Sequence, residues 1–494
     1  MKTWKPASLL IIIWAIFIMP FSGNAQEASL DYFQKRRKQL IRQMEDGSMA
    51  VMMSAEKKIR SNDIHYTFRQ RSSFYYLTGY KYPEAAFIIQ PKQENEFILF
   101  LSSKDSLGGR WQRQEYSLTE ARKVFGADTT YEIEKFEKIL KEKLQSKSFV
   151  YRDPKDQALT DLTDEINDEG TLLSNLDGIK NLNSLLREMR LQKDSLEINK
   201  MKKAIDITNQ AHLEAMKAVH PSMYEYEVEA LVEYVFQKNG ASAPAFTPVI
   251  GSGNNANILH YMKNDRKMRS GELVLMDIGA EYNMYAADLT RTIPVDGEFS
   301  QKQENIYQLV LKALRKATEE LIPGKGFFEA QHKATDIIMN GLHKQGLVTD
   351  PNSRWQRKFY EWNGFGHWLG IDVHDAGKYF DKRPDKGTPF EQISGRPLKA
   401  GMVRTIEPGI YLPENGLDKI RALKGEIVPA KKIEAFLDEV GPVYRKYQGI
   451  GVRIEEDVLI TEDGPEILSK QLPRDVDAIE NIMDKSSDYV SKDR

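Results

Sequence analysis

The 494-residue chain contains no cysteine. That rules out a thiol nucleophile, a disulfide framework, a cysteine-ligated zinc site and a lipid-modified N-terminal cysteine. Charge of one sign is lacking too: 70 Lys and Arg stand against 72 Asp and Glu, for a net charge of −2. No basic footprint argues for nucleic acid as a partner. After the first 21 residues there is no long hydrophobic run, no short internal repeat and no low-complexity tract.

The N-terminus is the exception. Lys2 and Lys5 precede an apolar run from Leu9 to Phe21, and Ser22-Gly23-Asn24-Ala25 puts small residues just ahead of Gln26. Basic start, short apolar centre and small-residue end are the three parts of a secretory signal peptide. The run is shorter than the roughly 20 residues that span a bilayer. We therefore expect residues 1–25 to be removed, no stable membrane anchor afterwards, and a periplasmic or secreted chain. Export without cysteine suits a bacterial exterior, where a large core makes disulfides unnecessary.

A chain of this length suggests two or three domains. Asp31 to Met44 has helical spacing, Ser48 to Ser54 is a strand candidate, and Phe87 to Ile89 and Phe97 to Leu101 read as adjacent strands. Ser117 to Glu120 fits a capping box, and Tyr131 to Leu144 a further helix. Strands alternating with helices predict an α/β domain over 26–175, with a second domain over 176–494. In the latter, Leu185 to Val219 is predicted as long helix with a solvated charged face. Tyr224 to Lys238 is another helix, ended at Asn239-Gly240. Gly251 to Asn255 reads as a turn; no phosphate loop is expected, because no Lys-Ser or Lys-Thr follows it. Ser300 opens a helix to about Leu321, Gly326 to Gln345 holds a second, and the remainder is predicted as strand and loop.

The stretch Leu273 to Thr292, LVLMDIGAEYNMYAADLTRT, reads as a hairpin closing near Tyr282-Asn283. Pairing 281 with 284 sets Asp277 opposite Asp288, with Cβ atoms roughly 4.5 to 5.5 Å apart. Two such carboxylates away from water either share a proton or bind a cation. Glu407 in VRTIEPGIYL and Glu455 in IGVRIEEDVLI also sit in runs that otherwise read as core strands, where a charge is costly unless paired or metal-bound. With His367 they make one imidazole and four carboxylates, a set that balances two divalent cations.

On Asp277, Asp288, His367, Glu407 and Glu455, in this order and on these strand contexts, the chain resembles the metallopeptidase family that holds methionine aminopeptidase, prolidase and aminopeptidase P. Tyr66 to Gln70 and Phe74 to Tyr80 also look like the segment preceding the catalytic domain in aminopeptidase P. The resemblance implies an α/β N-terminal domain plus an α+β pita-bread catalytic domain, two divalent metal ions, and hydrolysis of an N-terminal Xaa-Pro bond by a metal-bridging hydroxide. It implies that Asp277 chelates one metal, Asp288 and Glu455 bridge both, and His367 and Glu407 complete the second. The oxygen-rich set favours manganese.

His260 and His374 match the family's histidines beside the oxyanion, and Glu407 its proton carrier. Arg453 matches an arginine that holds carboxylates and Tyr411 in place. Each has a plainer alternative: a hydrogen-bonded core residue for His260, an orienter of Asp375 for His374, a surface ion pair for Arg453. Trp111 looks like an aromatic that lines the cleft, often from a neighbouring subunit; the resemblance implies homo-oligomers. Asn363 departs from the pattern, standing where the family carries histidine. Pro413 to Arg445 is predicted as a long surface excursion. The expected partners are peptides with proline second. The alternatives are a prolidase restricted to dipeptides and a non-hydrolytic peptide-binding module.

Overall fold

Buried apolar strands organise each of two units, Met1–Leu182 and Asn183–Arg494. The computed structural model describes residues 22–102, 115–167, 176–360, 364–423 and 428–490, with side chains from residue 30 onward. Trp111, Asn363 and most of the expected signal peptide lie outside them.

The first unit begins with the helix Ser22–Gln43. Its strands are β1 (Met49–Met53), β2 (Ile59–Ser61), β3 (Ile64–His65), β4 (Ala85–Ile89), β5 (Phe97–Leu101), β6 (Thr129–Glu132), β7 (Phe149–Arg152) and β8 (Gly178–Asn181). Six of them form one mixed sheet in the order β6-β5-β4-β1-β7-β8, while β2 and β3 make a separate hairpin. The predicted neighbours β4 and β5 pair antiparallel and are buried throughout. A Ser117/Glu120 capping box opens the helix Leu118–Phe125, as its sequence predicts. The helix expected from Tyr131 instead starts at Phe136, because Tyr131 and Glu132 complete β6. The unit runs beyond the boundary expected at 175 because β8 is its outermost strand.

In the second unit the expected continuous helix is two, Leu182–Leu191 and Ser195–Ala218, the second restarted by an Asp194/Glu197 capping box. Its charges are only partly a solvated face: Arg190, Lys193, Glu197 and Glu214 are buried. Ser195–Ala218 and the helix Glu225–Lys238 pack on each other and over the strands β9 (Ala243–Pro244), β10 (Val249–Ser252), β11 (Leu273–Ile278), β12 (Ala280–Tyr282), β13 (Tyr285–Ala286) and β14 (Leu289–Pro294). The predicted glycine-rich turn is the end of β10 followed by a short 3₁₀ helix, Gly253–Asn257.

A second helix pair, Gln301–Thr318 and Glu329–Lys344, accompanies β15 (Val403–Ile406), β16 (Gly409–Leu412), β17 (Ile450–Arg453), β18 (Glu456–Thr461) and β19 (Gly464–Ile467). Between β16 and β17 lie the helices Gly416–Ala422 and Ala430–Tyr447, where a surface excursion is predicted. The longer one buries Ile433, Phe436, Leu437, Val440 and Tyr444 at helical spacing, so it is a packed element. The helices Arg354–Tyr360 and Val476–Met483 also stand where only strand and loop are predicted.

The hairpin register differs from the predicted one. Tyr282 pairs Tyr285 across Asn283 and Met284, both at positive φ (50° and 75°), and Asp277 therefore pairs Thr290, not Asp288. A two-residue loop with both central residues left-handed matches the twist of the flanking strands. The slip is by two residues, so Asp277 stays on its expected face. Between the two ladders the backbones close in: a Cβ on Gly279 would meet the Ala287 carbonyl oxygen at 1.9 Å. The ladder opens there, and the Asp288 N–H donates instead to Asp457 Oδ2 at 3.1 Å.

Candidate metal centre

Strand ends from both halves of the second unit deliver their acids to one cavity of about 250 Å³, lined by His260, Asp277, Asp288, His367, His374, Glu407, Arg453 and Glu455. All eight predicted site residues thus converge. Asp277 comes from β11, and Asp288 from the gap before β14. Glu407 follows β15, while Glu455 precedes β18. His367 comes from a loop whose chain crosses β15, with the Thr405 N–H donating to the His367 carbonyl at 2.9 Å. Gly366, at φ +147°, lets that loop lie on the Thr405 carbonyl; a Cβ would meet it at 2.2 Å.

Asp288, His367 and Glu455 each offer a donor atom within 4.8 Å of the others, all three residues being buried. His367 Nε2 lies 3.2 Å from Asp288 Oδ2 and 3.9 Å from Glu407 Oε1. Its Nδ1 donates to the Trp368 carbonyl at 3.1 Å, a tautomer that leaves the Nε2 lone pair facing the acids. On the other side, Arg453 bonds Asp277 Oδ2, Thr290 Oγ1 (3.1 Å) and the Tyr411 hydroxyl (3.0 Å). This is the arginine's predicted holding role, and it is buried rather than a surface pair. Thr290 Oγ1 in turn donates to Glu455 Oε2 at 2.8 Å.

Charge in the cavity does not balance. Four carboxylates face Arg453, the one permanently cationic side chain among its lining residues. Burial first, then the neighbouring Asp277, raises the Asp288 carboxyl well above the ordinary range. Burial and the other three acids do the same to Glu455. Glu407 is pushed up to about 7 by burial and by Asp288 and Asp277, against the opposing pull of His367 and Arg453. Asp277 Oδ1 is buried with no hydrogen-bond partner. Carboxylates held this way either keep protons or bind a cation. The donor set, one imidazole and four carboxylates, fits a pair of hard or borderline divalent ions.

His260 and His374 are both exposed at the cavity rim, so neither is a core histidine. The rings of His374 and His367 lie 4.1 Å apart, and burial, His367 and His260 lower the His374 pKa. Asp375 is not oriented by His374; it is buried between Arg190 and Lys193 (Nζ at 2.9 Å).

The sequence reading missed Tyr379, a lining residue from a loop with no period to mark it. It also missed the layer behind the acids, where Arg291, fully buried, holds Glu456 Oε1 at 2.7 Å and the Glu455 carbonyl at 2.8 Å. An arginine inside the otherwise buried run LTRTIP is the signal that points to such a partner.

Metallopeptidase family M24 matches residues 199–462, and the aminopeptidase P N-terminal domain matches residues 33–151. The chain belongs to metallopeptidase family M24. This M24 peptidase is 36% identical over 461 residues to the Xaa-Pro aminopeptidase of Haemophilus influenzae, covering 91% of this chain and 96% of that one. It is 32% identical over 471 residues to the Escherichia coli Xaa-Pro aminopeptidase, with 92% and 98% covered. Human Xaa-Pro dipeptidase is 30% identical over 459 residues, with 88% and 89% covered. Among solved structures, Escherichia coli aminopeptidase P in complex with substrate superposes with a TM-score of 0.80 at 32% identity, covering 92% and 98%. Pseudomonas aeruginosa aminopeptidase PepP gives 0.79 at 33%, with the same coverage. The fold of this M24 peptidase is thus the expected pair, an α/β N-terminal domain and a pita-bread catalytic domain.

Proposed function

We propose that the protein is a dimetal Xaa-Pro aminopeptidase that removes the first residue from short peptides with proline second. The convergence of one imidazole and four carboxylates around a single cation in one cavity carries this reading. Relatives named Xaa-Pro aminopeptidase, aligned over nine-tenths of the chain, support it over the dipeptidase alternative. The intact set of acids supports it over a non-hydrolytic binding module.

In this reading Asp277 would hold one ion, Asp288 and Glu455 would be shared by both, and His367 and Glu407 would complete the second. Two divalent ions bound there, manganese by donor chemistry, would supply a water activated near neutral pH and polarisation of the scissile carbonyl. Arg453 keeps Asp277 turned inward and fixes Glu455 through Thr290. His260 and His374, at the rim, would donate to the substrate carbonyl as charge develops on it. Glu407, whose carboxyl is pushed up to about 7, is suited to carry a proton to the leaving proline nitrogen.

The basic start, apolar run and small residues before Gln26 support export to a periplasm or exterior. No described helix is long and apolar enough to cross a membrane. Like the resemblance that suggests it, a homo-oligomer is part of the proposal.

The test is turnover after manganese loading. Release of arginine from Arg-Pro-Pro, with little from Arg-Pro, is expected. Cleavage of the dipeptide alone points to a dipeptidase, and less than one bound ion per chain with no turnover points to a binding module.

A further inference from the structure

A second cavity, of about 560 Å³, shares Gly364 with the acid-lined one. Its size falls in the roughly 300–1,000 Å³ range of ligand sites. One wall is the face of the helix Glu329–Lys344 that carries His332 and Asp336; the others are the helix Arg354–Tyr360 and the turn at Phe390. Gly364 lines both cavities, and a Cβ there would meet no described residue within 4 Å apart from its chain neighbours.

The polar groups of this second cavity are unequally committed. Arg357 is satisfied by Asp336 Oδ1 at 2.8 Å and the Pro351 carbonyl at 2.9 Å. Arg354 keeps only a long ion pair, its Nε 3.9 Å from Glu391 Oε1 on the same cavity wall, and its side chain is 70% exposed. Lys358, one helical turn on, is exposed and makes no ion pair among the described residues. His332 bonds the Phe390 carbonyl, and its Nε2 is buried with no partner. With Nδ1–H donating to that carbonyl, the neutral imidazole leaves Nε2 as an acceptor. Between these lie Phe328 and Phe390, edge to face at 5.4 Å.

An acceptor for an N–H, an aromatic corner and two exposed cations, one of them in a long ion pair, together match the tail of a peptide. We infer that this cavity receives the C-terminal end of the substrate: His332 Nε2 accepts a backbone N–H, Phe328 and Phe390 take the last side chain, and Arg354 with Lys358 take the free α-carboxylate. The inference rests on the Xaa-Pro reading for which peptides enter. It makes the protein selective for short peptides with an apolar final residue and a free C-terminus.

The test uses Ala-Pro-Phe, Ala-Pro-Ala-Phe and Ala-Pro-Ala-Ala, each as free acid and as C-terminal amide, with the manganese-loaded full chain. Both kcat/KM and calorimetric dissociation constants are read. At the length that spans the two cavities, the acid is expected to be favoured roughly tenfold, almost entirely through KM. The double variant Arg354→Ala, Lys358→Ala, both on the surface, brings the acid down to the amide's level, and Phe390→Ala removes the preference for a final Phe over Ala. Equal values for acid and amide at both lengths, or a preference that survives the double variant, overturn the inference. If no peptide releases alanine, the Xaa-Pro reading fails instead, and the acid-to-amide difference in dissociation constant still decides the cavity.

Discussion

Glu455 and Glu456 are neighbours in the chain, both essentially inaccessible, yet they live in opposite electrostatic worlds. Glu456 turns away from the cavity into a layer where Arg291 (2.7 Å), Arg474 (3.1 Å) and Ser469 all reach its carboxylate. Glu455 turns towards Asp277, Asp288 and Glu407 and has one hydroxyl donor, Thr290. Alternation along a strand sends successive side chains to opposite faces. One face is complete as a protein; the other is complete only with something positive added. A buried acid is thus structural or functional according to whether the chain itself supplies its counter-charge.

Breaking each face has a different expected cost. On the open face, Asp288→Ala should reduce kcat/KM by on the order of 10³-fold or more, the scale for losing a group the reaction depends on. Bound metal, read by atomic emission, should fall with it, while the metal-free chain loses no thermal stability because a repelling charge is gone. An Asp288→Ala protein with full activity and full metal content refutes the bridging role. On the closed face, Glu456→Ala leaves the Arg291 guanidinium buried without its partner, and should cost about 3–5 kcal/mol in a denaturant titration. A loss below about 1 kcal/mol there would mean that water reaches Arg291, on the surface-pair scale.

The open face was legible in the sequence because its acids interrupt buried runs: Asp277 in LVLMDI, Glu407 after VRTI, Glu455 after GVRI. The closed face was not, since Arg291 and Glu456 each read as a charge beside a more conspicuous one, and only their distance couples them. The capping box at Ser117 and the helix start at Ser300 were read correctly because their signal is local. The hairpin register was not: Asn283 tolerates positive φ and was placed in the turn, but Met284 has no such preference and takes φ 75° under the demand of the pairing on either side. The helix Ala430–Tyr447 was hidden by its Lys and Glu content, although its buried positions keep helical spacing.

Acidity offers a graded version of the comparison. Glu407 in the folded chain titrates at about 7, from 4.5. Between those values the folded chain holds a proton the unfolded chain has released, so its contribution is full below the lower value and lost as pH rises through the upper. Asp288 and Glu455 are raised too and act with the same sign. The metal-free protein should therefore lose stability from pH 5 to 8, by roughly 3 kcal/mol for Glu407 alone. Manganese should flatten that slope. Asp375 works oppositely: Arg190 and Lys193 outweigh its burial and lower its pKa, so its contribution disappears only in acid. Urea midpoints at several pH values, with chelator and with manganese, read both limbs. A metal-free midpoint that is level or rises to pH 8 contradicts the charge imbalance.

The smallest expected effect concerns the single hydroxyl that joins Arg453 to Glu455. Thr290 Oγ1 donates to Glu455 at 2.8 Å and accepts from Arg453 Nε at 3.1 Å. Valine keeps the shape and loses both bonds, leaving a buried donor and acceptor unmet at a cost of about 1–3 kcal/mol. Since Glu455 is already crowded by like charge, the variant should weaken manganese binding by roughly tenfold, within the range for groups that orient metal ligands. Serine keeps the hydroxyl and should restore the affinity even though it gives up a packed methyl. If serine and valine fall equally, the methyl's packing matters and the hydrogen bond does not; if serine alone recovers, the orientation of Glu455 depends on a polar atom that β14 places between the arginine and the acid.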